Sequence, residues 1–269
     1  MTMPAFLKEF LVFGLKQARA AVFAGSFFVL LFASQHLPLG PLARYDFLFL
    51  AALALQVVLY LTRIETKDEI KTIALFHVLG LLLEIYKTDP RIGSWAYPEA
   101  GLLKIHTVPL YSGFMYAAVG SYISQSWRVM KLEIAGNVDH IAAGLLAIAI
   151  YVNFFTNHFL PDIRWFLILA VFFIYRKAWV RFTVTDRIRR IPLAVSFFLI
   201  AFFIWVAENV STYYGAWKYP YQLTTWNMVS WHKITSWYLL VIISFILIAN
   251  LKRLKGRRTS KNPESRDDD

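Results

Sequence analysis

Two glutamates and one histidine are the ionisable residues whose sequence surroundings point to chemistry. Glu84 and Glu208 each lie in an apolar segment. If helical, these segments put the carboxyls roughly 21 and 24 Å from inner ends near Ile70 and Pro192. Ionisable groups at membrane depth are costly and by default mark a functional site. His77 lies two helical turns before Glu84 on the same helix face. We predict that these three residues are the catalytic or proton-carrying groups.

Each glutamate is followed by a short loop rich in aromatic residues. The first loop reads Gly93-Ser94-Trp95-Ala96-Tyr97-Pro98 and the second reads Gly215-Ala216-Trp217-Lys218-Tyr219-Pro220. Aromatic faces can stabilise a cationic group, so these side chains are candidates for contact with a substrate. An alternative is that they only form the aromatic belt found at membrane interfaces. The predicted substrate-binding residues are Trp95, Tyr97, Trp217, Tyr219, Asn209 and Tyr111.

The polar residues also have structural alternatives. Glu84 could pair with Lys87 one helical turn later, and His77 could be a hydrogen-bonded packing residue. Asn153, Asn157, His158, Asp162 and Arg164 could add polar groups from the same side, or be ordinary loop residues. The chain has no Cys, and it has no His-Glu-x-x-His or phosphate-binding glycine loop. We therefore predict neither a metal site nor a cofactor.

The composition indicates that a membrane surrounds the elements that carry these residues. Hydrophobic residues make up 58% of the 269 positions and charged residues 17%, compared with roughly 45–50% and 25% in a soluble domain. A spanning helix needs about 20 mostly apolar residues. The sequence predicts an all-α bundle of about eight transmembrane helices, at Ala20–Leu37, Tyr45–Thr62, Ile70–Tyr86, Val108–Trp127, Ile141–Phe155, Trp165–Val180, Pro192–Tyr214 and Ile234–Leu251.

The basic residues predict the orientation. About three-quarters of the Lys and Arg residues fall in the two termini and in alternate loops, which indicates that both termini are cytoplasmic and the protein lies in the cell membrane. The net charge of +11 is thus explained without nucleic acid; lipids are the predicted partners, and oligomeric state is left open. Residues 1–19 are predicted to form an interfacial amphipathic segment, residues 20–251 the transmembrane domain and residues 252–269 a disordered tail.

The aromatic loops belong to a longer internal repeat. Asp68-Glu69-Ile70-Lys71 matches Asp186-Arg187-Ile188-Arg189, and Arg44-Tyr45 matches Arg164-Trp165. The predicted halves, about 20–127 and 141–251, each hold four spans. Because four is an even number, the halves would insert with the same orientation as a parallel repeat. Their outer loops would then face each other, with Glu84 and Glu208 beside one cavity.

Seven segments along the chain carry a resemblance to a known family. They are Arg44-Tyr45-Asp46-Phe47, Glu65-Thr66-Lys67-Asp68-Glu69, Leu75-Phe76-His77, Gly93 to Glu99, Val108 to Tyr116, Asn153-Phe154-Phe155-Thr156 and Trp205-Val206-Ala207-Glu208-Asn209. Together they resemble a YoaT-like family of bacterial integral membrane proteins of unknown function. The resemblance covers nearly the whole chain outside the tail, and it implies a fold but no catalytic residues.

A shorter resemblance is to membrane carotenoid hydratases and lycopene cyclases. Glu84, the first aromatic loop and Val108-Pro109-Leu110 follow the order of acid, aromatic loop and proline entry found in those enzymes, but Leu110-Tyr111-Ser112 lacks the acids that the cyclases carry there. The resemblance implies acid–base chemistry on a hydrophobic isoprenoid-like lipid. Two alternatives remain open: a small-solute or proton-coupled transporter or channel, and a membrane assembly factor without chemistry.

Overall fold

The computed structural model describes residues 4–261 and is mainly helical. Within those residues the chain forms nine α-helices and one 3-10 turn at Pro220–Gln222. The helices are α1 (Ala5–Ala20), α2 (Val22–Ala33), α3 (Arg44–Leu61), α4 (Lys67–Thr88), α5 (Ser112–Val129), α6 (His140–Thr156), α7 (Arg164–Tyr175), α8 (Leu193–Tyr213) and α9 (Lys233–Lys261).

Three of these helices are long and apolar enough to cross a membrane: α3, α8 and the first 20 residues of α9. The pair α1 and α2, bent by 68° at Ala21, makes a fourth if it counts as one span. Large apolar side chains are also exposed on the shorter α6 and α7, as expected of surfaces that meet lipid. These features support membrane association. The eight spans and the orientation stay predictions.

Helix α4 begins and packs through specific local contacts. Thr66 Oγ1 accepts a hydrogen bond from Glu69 N, and Glu69 Oε2 accepts one from Thr66 N at 2.8 Å. This capping box satisfies two backbone donors that a helix start leaves open. Glycines let α4 and α5 approach closely, since a Cβ on Gly80 would lie 2.5 Å from the Tyr116 ring. The packing brings Tyr116 alongside Glu84.

Two hydrophobic cores divide the molecule. One is built mainly from α2, α3, α4 and α5 and also takes in residues around the second aromatic loop, such as Ala216 and Tyr219. The other is built from α6, α7, α8, α9 and the strands between them.

The expectation of an all-helical chain misses two small sheets. Strands β1 (Lys104–Ile105) and β2 (Val108–Pro109) form a two-stranded ladder, and β3 (Glu133–Ala135), β4 (Trp179–Thr183) and β5 (Ile188–Pro192) form a three-stranded one. The predicted span Trp165–Val180 is therefore helical only to Tyr175. Trp179-Val-Arg-Phe-Thr alternates and is rich in aromatic and β-branched residues, which favour a strand, and pairing on both sides satisfies its backbone.

The predicted terminal segments differ from the structure in one respect. Helix α9 runs on to Lys261, although a disordered tail was predicted to begin at residue 252. Residues 262–269 of that tail, and residues 1–3 of the predicted amphipathic segment, lie outside the described residues. Helix α1 packs against α5, and Glu9 pairs with Arg189 of β5 at 2.7 Å.

Candidate functional site

The two aromatic loops, residues 93–98 and 215–220, contact each other through their backbones. Ala96 N donates to Lys218 O and Lys218 N donates to Ala96 O, both at 2.9 Å. These two residues hold the same position in the two loops. Gly93 and Gly215 open the loops with φ of 57° and 68°, a left-handed conformation that glycine adopts without steric cost. Equivalent backbone positions of the repeat therefore meet face to face.

Glu84 is buried at the end of α4 and accepts three hydrogen bonds. Its Oε2 accepts from Trp95 Nε1 at 2.6 Å and from Tyr97 OH at 2.7 Å. Its Oε1 accepts from Tyr116 OH at 2.8 Å. Lys87, the alternative partner, instead donates to Phe154 O of α6 at 2.7 Å. The first aromatic loop is thus tied to the carboxylate that precedes it.

Glu208 has a similar environment on α8. Its Oε1 accepts from Tyr219 OH of the second aromatic loop, and its Oε2 accepts from Trp237 Nε1 of α9 at 2.9 Å. Thr212 Oγ1 donates to the Glu208 carbonyl, as Thr88 Oγ1 donates to that of Glu84. In both halves the glutamate is bound by the tyrosine of its own loop.

A cavity of about 260 Å³ lies where the two loops meet, slightly below the 300–1,000 Å³ usual for a drug-sized ligand. Glu84 and Glu208 both line it, and so do Trp95, Trp217 and Tyr219 from the aromatic loops. Its wall combines acidic, basic and aromatic groups. The remaining lining residues are Lys87, Ser94, Met115, Tyr116, Phe154, Asn157, His158, Asp162, Arg164, Lys233, Ser236, Trp237 and Leu240.

Lys233, the first residue of α9, places its ammonium group inside the cavity. Its Nζ lies 4.5 Å from the centre of the Tyr219 ring and 5.5 Å from that of Trp95, within the range of a cation–π interaction. It is also attracted by the charges of Glu208 and Glu84. Among residues 4–252, whose side chains the structure describes, no acceptor forms a hydrogen bond with this Nζ. Lys233 therefore offers donors to a bound molecule.

Polar groups between α6 and α7 also line the cavity. Burial and the nearby positive charges of Lys87 and Lys233 lower the pKa of the exposed His158. A neutral His158 Nε2 can accept hydrogen bonds from Lys87 Nζ at 3.2 Å and from Ser94 Oγ at 3.3 Å. Although burial opposes it, hydrogen bonds from Arg164 and Asn153 hold the pKa of Asp162 below its usual range.

Four residues of the predicted site lie outside the lining. Tyr97 reaches Glu84 only through its hydroxyl group. His77 packs against Phe114, with ring centres 4.4 Å apart. Tyr111 OH donates to the Ala216 carbonyl, and the Asn209 side chain accepts from Val229 N at 2.8 Å. Tyr111 and Asn209 therefore hold loops in place.

Tyr116, Lys233 and Trp237 are among the lining residues that sequence reasoning missed. Trp237 gave no local signal, because it lies in the apolar pattern of α9. In the part of the chain that the structure describes, no group of three His, Asp or Glu residues is arranged to hold a metal ion.

The fold and the cavity define a class: a mainly helical protein, with three or four helical segments among its described residues that are apolar enough to cross a membrane, and with two buried acids beside one cavity. The chain belongs to the DUF817 family of proteins of unknown function, whose match covers residues 9–245. It is 47% identical over 255 residues to the uncharacterized protein YoaT of Bacillus subtilis (strain 168), which covers 95% of this chain and 96% of that protein. No solved structure matches the chain.

Proposed function

We propose that this protein is a multi-pass membrane protein of the small-solute transporter class, which binds a small carboxylate-bearing solute in the cavity between its aromatic loops. The observation that carries the proposal is Lys233. Its ammonium group lies over two aromatic rings in the cavity. Among residues 4–252, whose side chains the structure describes, it forms no hydrogen bond with the protein. A carboxylate is the group that best satisfies such a donor, because charge-assisted hydrogen bonds are stronger than neutral ones.

The two glutamates fit this role better than acid catalysis. Each has both carboxyl oxygens already engaged by Tyr or Trp donors. Each carboxyl group is held in place by these donors, and electrostatic attraction links both of them to the Lys233 ammonium group. Protonating an alkene would instead need a carboxylic acid with its O–H directed at the substrate.

The isoprenoid hypothesis stays a prediction, with less support than the solute hypothesis. Beside its aromatic and apolar lining, the cavity holds five charged or polar side chains, those of Lys87, Arg164, Asp162, His158 and Lys233. An isoprenoid chain has no group that could pair with them. A volume of about 260 Å³ also suits a metabolite-sized molecule. No observation specifically favours a non-catalytic assembly factor.

The proposed arrangement is eight spans in two parallel four-helix halves, with both termini in the cytoplasm and the cavity at the outer end. The reciprocal hydrogen bonds between Ala96 and Lys218 support it, because they join equivalent residues of the two halves. The equivalent bonds of Tyr97 to Glu84 and Tyr219 to Glu208 support it further. Parallel repeats related by an axis along the membrane normal, with a site at their interface, are known among transporters.

The test is to identify what the purified protein carries, using Lys233→Met, which preserves the length of the side chain but removes its charge and donors. Lys218→Met is the matched control, since Lys218 belongs to the second aromatic loop but does not line the cavity. Molecules extracted from the wild type and both variants are compared by mass spectrometry. We expect a small carboxylate to co-purify with the wild type and Lys218→Met and to be lost from Lys233→Met.

Uptake of the identified compound, in radiolabelled form, is then measured in proteoliposomes that contain the wild type or one of the two variants. Uptake that requires Lys233 but not Lys218 supports transport. A polyene or polyprenyl chain bound by the wild type would contradict the proposal and support the isoprenoid hypothesis. Equal amounts of the same small molecule on the wild type and Lys233→Met would also contradict it.

A further inference from the structure

A second buried polar cluster lies at the other end of α4 from Glu84. Glu65 stands just before the capping box of α4 and is 1% exposed. Its Oε1 accepts from Ser121 Oγ at 2.7 Å and faces Gln125 Nε2 at 3.5 Å. Its Oε2 accepts from Gln56 Nε2. The cluster joins α3, the turn before α4, and α5.

Among residues 4–252, whose side chains the structure describes, no positive group pairs with this buried carboxylate. Arg128 pairs instead with Glu69 at 2.9 Å and donates to the Ile64 carbonyl at 2.7 Å. The groups that contact Glu65 are neutral amides and a hydroxyl. A buried charge without a counter-charge is costly.

The amide oxygens of the cluster are also unsatisfied. Gln125 is fully buried, and neither its Oε1 nor that of Gln56 has a hydrogen-bond partner among the described residues. Most buried side-chain oxygens in proteins accept at least one hydrogen bond or bind an ion. Half a turn about the last side-chain bond would bring each amide oxygen to the position now held by its NH₂ group, beside Glu65.

We propose that Glu65 is the centre of a binding site for an alkali-metal cation, with Gln56, Ser121 and Gln125 as the other ligands. Turning both amides gives five oxygens: two from the carboxylate, two from the amides and one from the hydroxyl. Oxygen ligands of this kind suit hard cations. One carboxylate balances one positive charge, so the site fits a monovalent ion, whereas a divalent ion would leave a buried net charge.

The site is independent of the cavity and does not rest on the proposed solute. It lies on the cytoplasmic side in the proposed orientation. Helix α5 connects the two regions, since it carries Tyr116 beside Glu84 and also Ser121 and Gln125 beside Glu65. A cation that draws these two ligands together would therefore act on the helix that also lines the cavity.

The experiment measures binding of ²²Na⁺ and thermal stability on the full-length protein in detergent, with NaCl exchanged for choline chloride at constant ionic strength. We expect saturable binding and a melting temperature that rises with Na⁺, because a ligand that binds only the folded state stabilises it. Glu65→Gln should lose Na⁺ affinity by roughly tenfold or more. Its melting temperature should become independent of Na⁺.

Glu65→Gln is expected to fold, because its amide can accept from Ser121 and donate to the free oxygen of Gln56. Gln125→Leu is a second variant that removes one ligand and keeps the charge, so it should weaken Na⁺ binding without abolishing it. Glu133→Gln is the matched control at an exposed acid. Wild-type stability that is the same in Na⁺ and choline would overturn the proposal, and so would stabilisation by Mg²⁺ but not by Na⁺.

Discussion

Each carboxyl oxygen of the two buried glutamates accepts a hydrogen bond from at least one aromatic donor. Glu84 accepts hydrogen bonds from Trp95, Tyr97 and Tyr116. Glu208 accepts them from Tyr219 and Trp237. Such donors let an anion remain buried without a direct ion pair. The negative charges are then available to attract the Lys233 ammonium group, which has no carboxylate in hydrogen-bond contact.

Glu84→Gln and Glu208→Gln should fold but lose solute binding. Each amide oxygen can keep an aromatic donor, and the NH₂ group can donate to the hydroxyl oxygen of Tyr116 or Tyr219. Each change should therefore cost about 1 kcal/mol of folding stability or less. Loss of the charge removes the attraction that holds Lys233 over the rings. Thermal unfolding and the amount of co-purified solute measure the two effects. Wild-type levels of solute on the double variant would contradict this role.

At the scale of the elements, glycines determine how closely α4 and α5 pack. A Cβ on Gly113 would lie 2.6 Å from the His77 carbonyl oxygen, and one on Gly120 would lie 2.9 Å from the Phe76 ring. A helix backbone moves less readily than a side chain. Gly113 is therefore less tolerant than Gly120 of substitution by a residue with a side chain. The close packing matters for function because it fixes Tyr116 on one glutamate and Ser121 on another.

Gly113→Ala should destabilise the protein by about 1–3 kcal/mol through overpacking. Gly144→Ala on α6 is the matched control, because no atom lies within 4 Å of its added Cβ. There the loss of glycine flexibility should leave stability unchanged or raise it by about 0.5–1 kcal/mol. Thermal unfolding in detergent, followed by tryptophan fluorescence, compares the two. Equal effects of both substitutions would argue against a close contact between α4 and α5.

At the scale of the whole molecule, the two aromatic loops meet beside the cavity. The natural chain contains no Cys. Any disulfide or maleimide labelling of the protein therefore comes from the introduced cysteines alone. Two residues that exchange both backbone hydrogen bonds in an antiparallel pair have Cα atoms about 5.5 Å apart. That separation lies within the range of a disulfide, which is about 4.4–6.8 Å between Cα atoms.

The double variant Ala96→Cys/Lys218→Cys should therefore form an intramolecular disulfide on mild oxidation. A loss of maleimide labelling, with no dimer on a non-reducing gel, measures it. The control Ala96→Cys/Arg187→Cys places the second cysteine at the opposite end of the proposed bundle and should stay reduced. In intact cells, an impermeant maleimide should label Ala96→Cys but not Arg187→Cys. Cross-linking of both pairs, or labelling of Arg187→Cys alone, would contradict the arrangement.

The residues of the cavity divide into those that the sequence made visible and those that it did not. Glu84, Glu208 and the aromatic loops could be predicted because an acid in an apolar segment, followed twice by the same loop, is a local pattern. His77 shares a helix face with Glu84, but the close packing of α5 covers it. Helix periodicity defines a face of one helix, and it does not say which neighbour lies against that face.

The sequence by itself determined that the chain is mainly helical and membrane-associated, because apolar content and periodicity act along single segments. Only the tertiary structure decided that Trp179–Thr183 is a strand, since its partners β3 and β5 are separate segments of the chain. It also decided that Lys233 lies between two aromatic loops and that Gln56 and Gln125 meet at Glu65. Those groups converge from distant segments, and a contact between helices depends on packing that no single segment encodes.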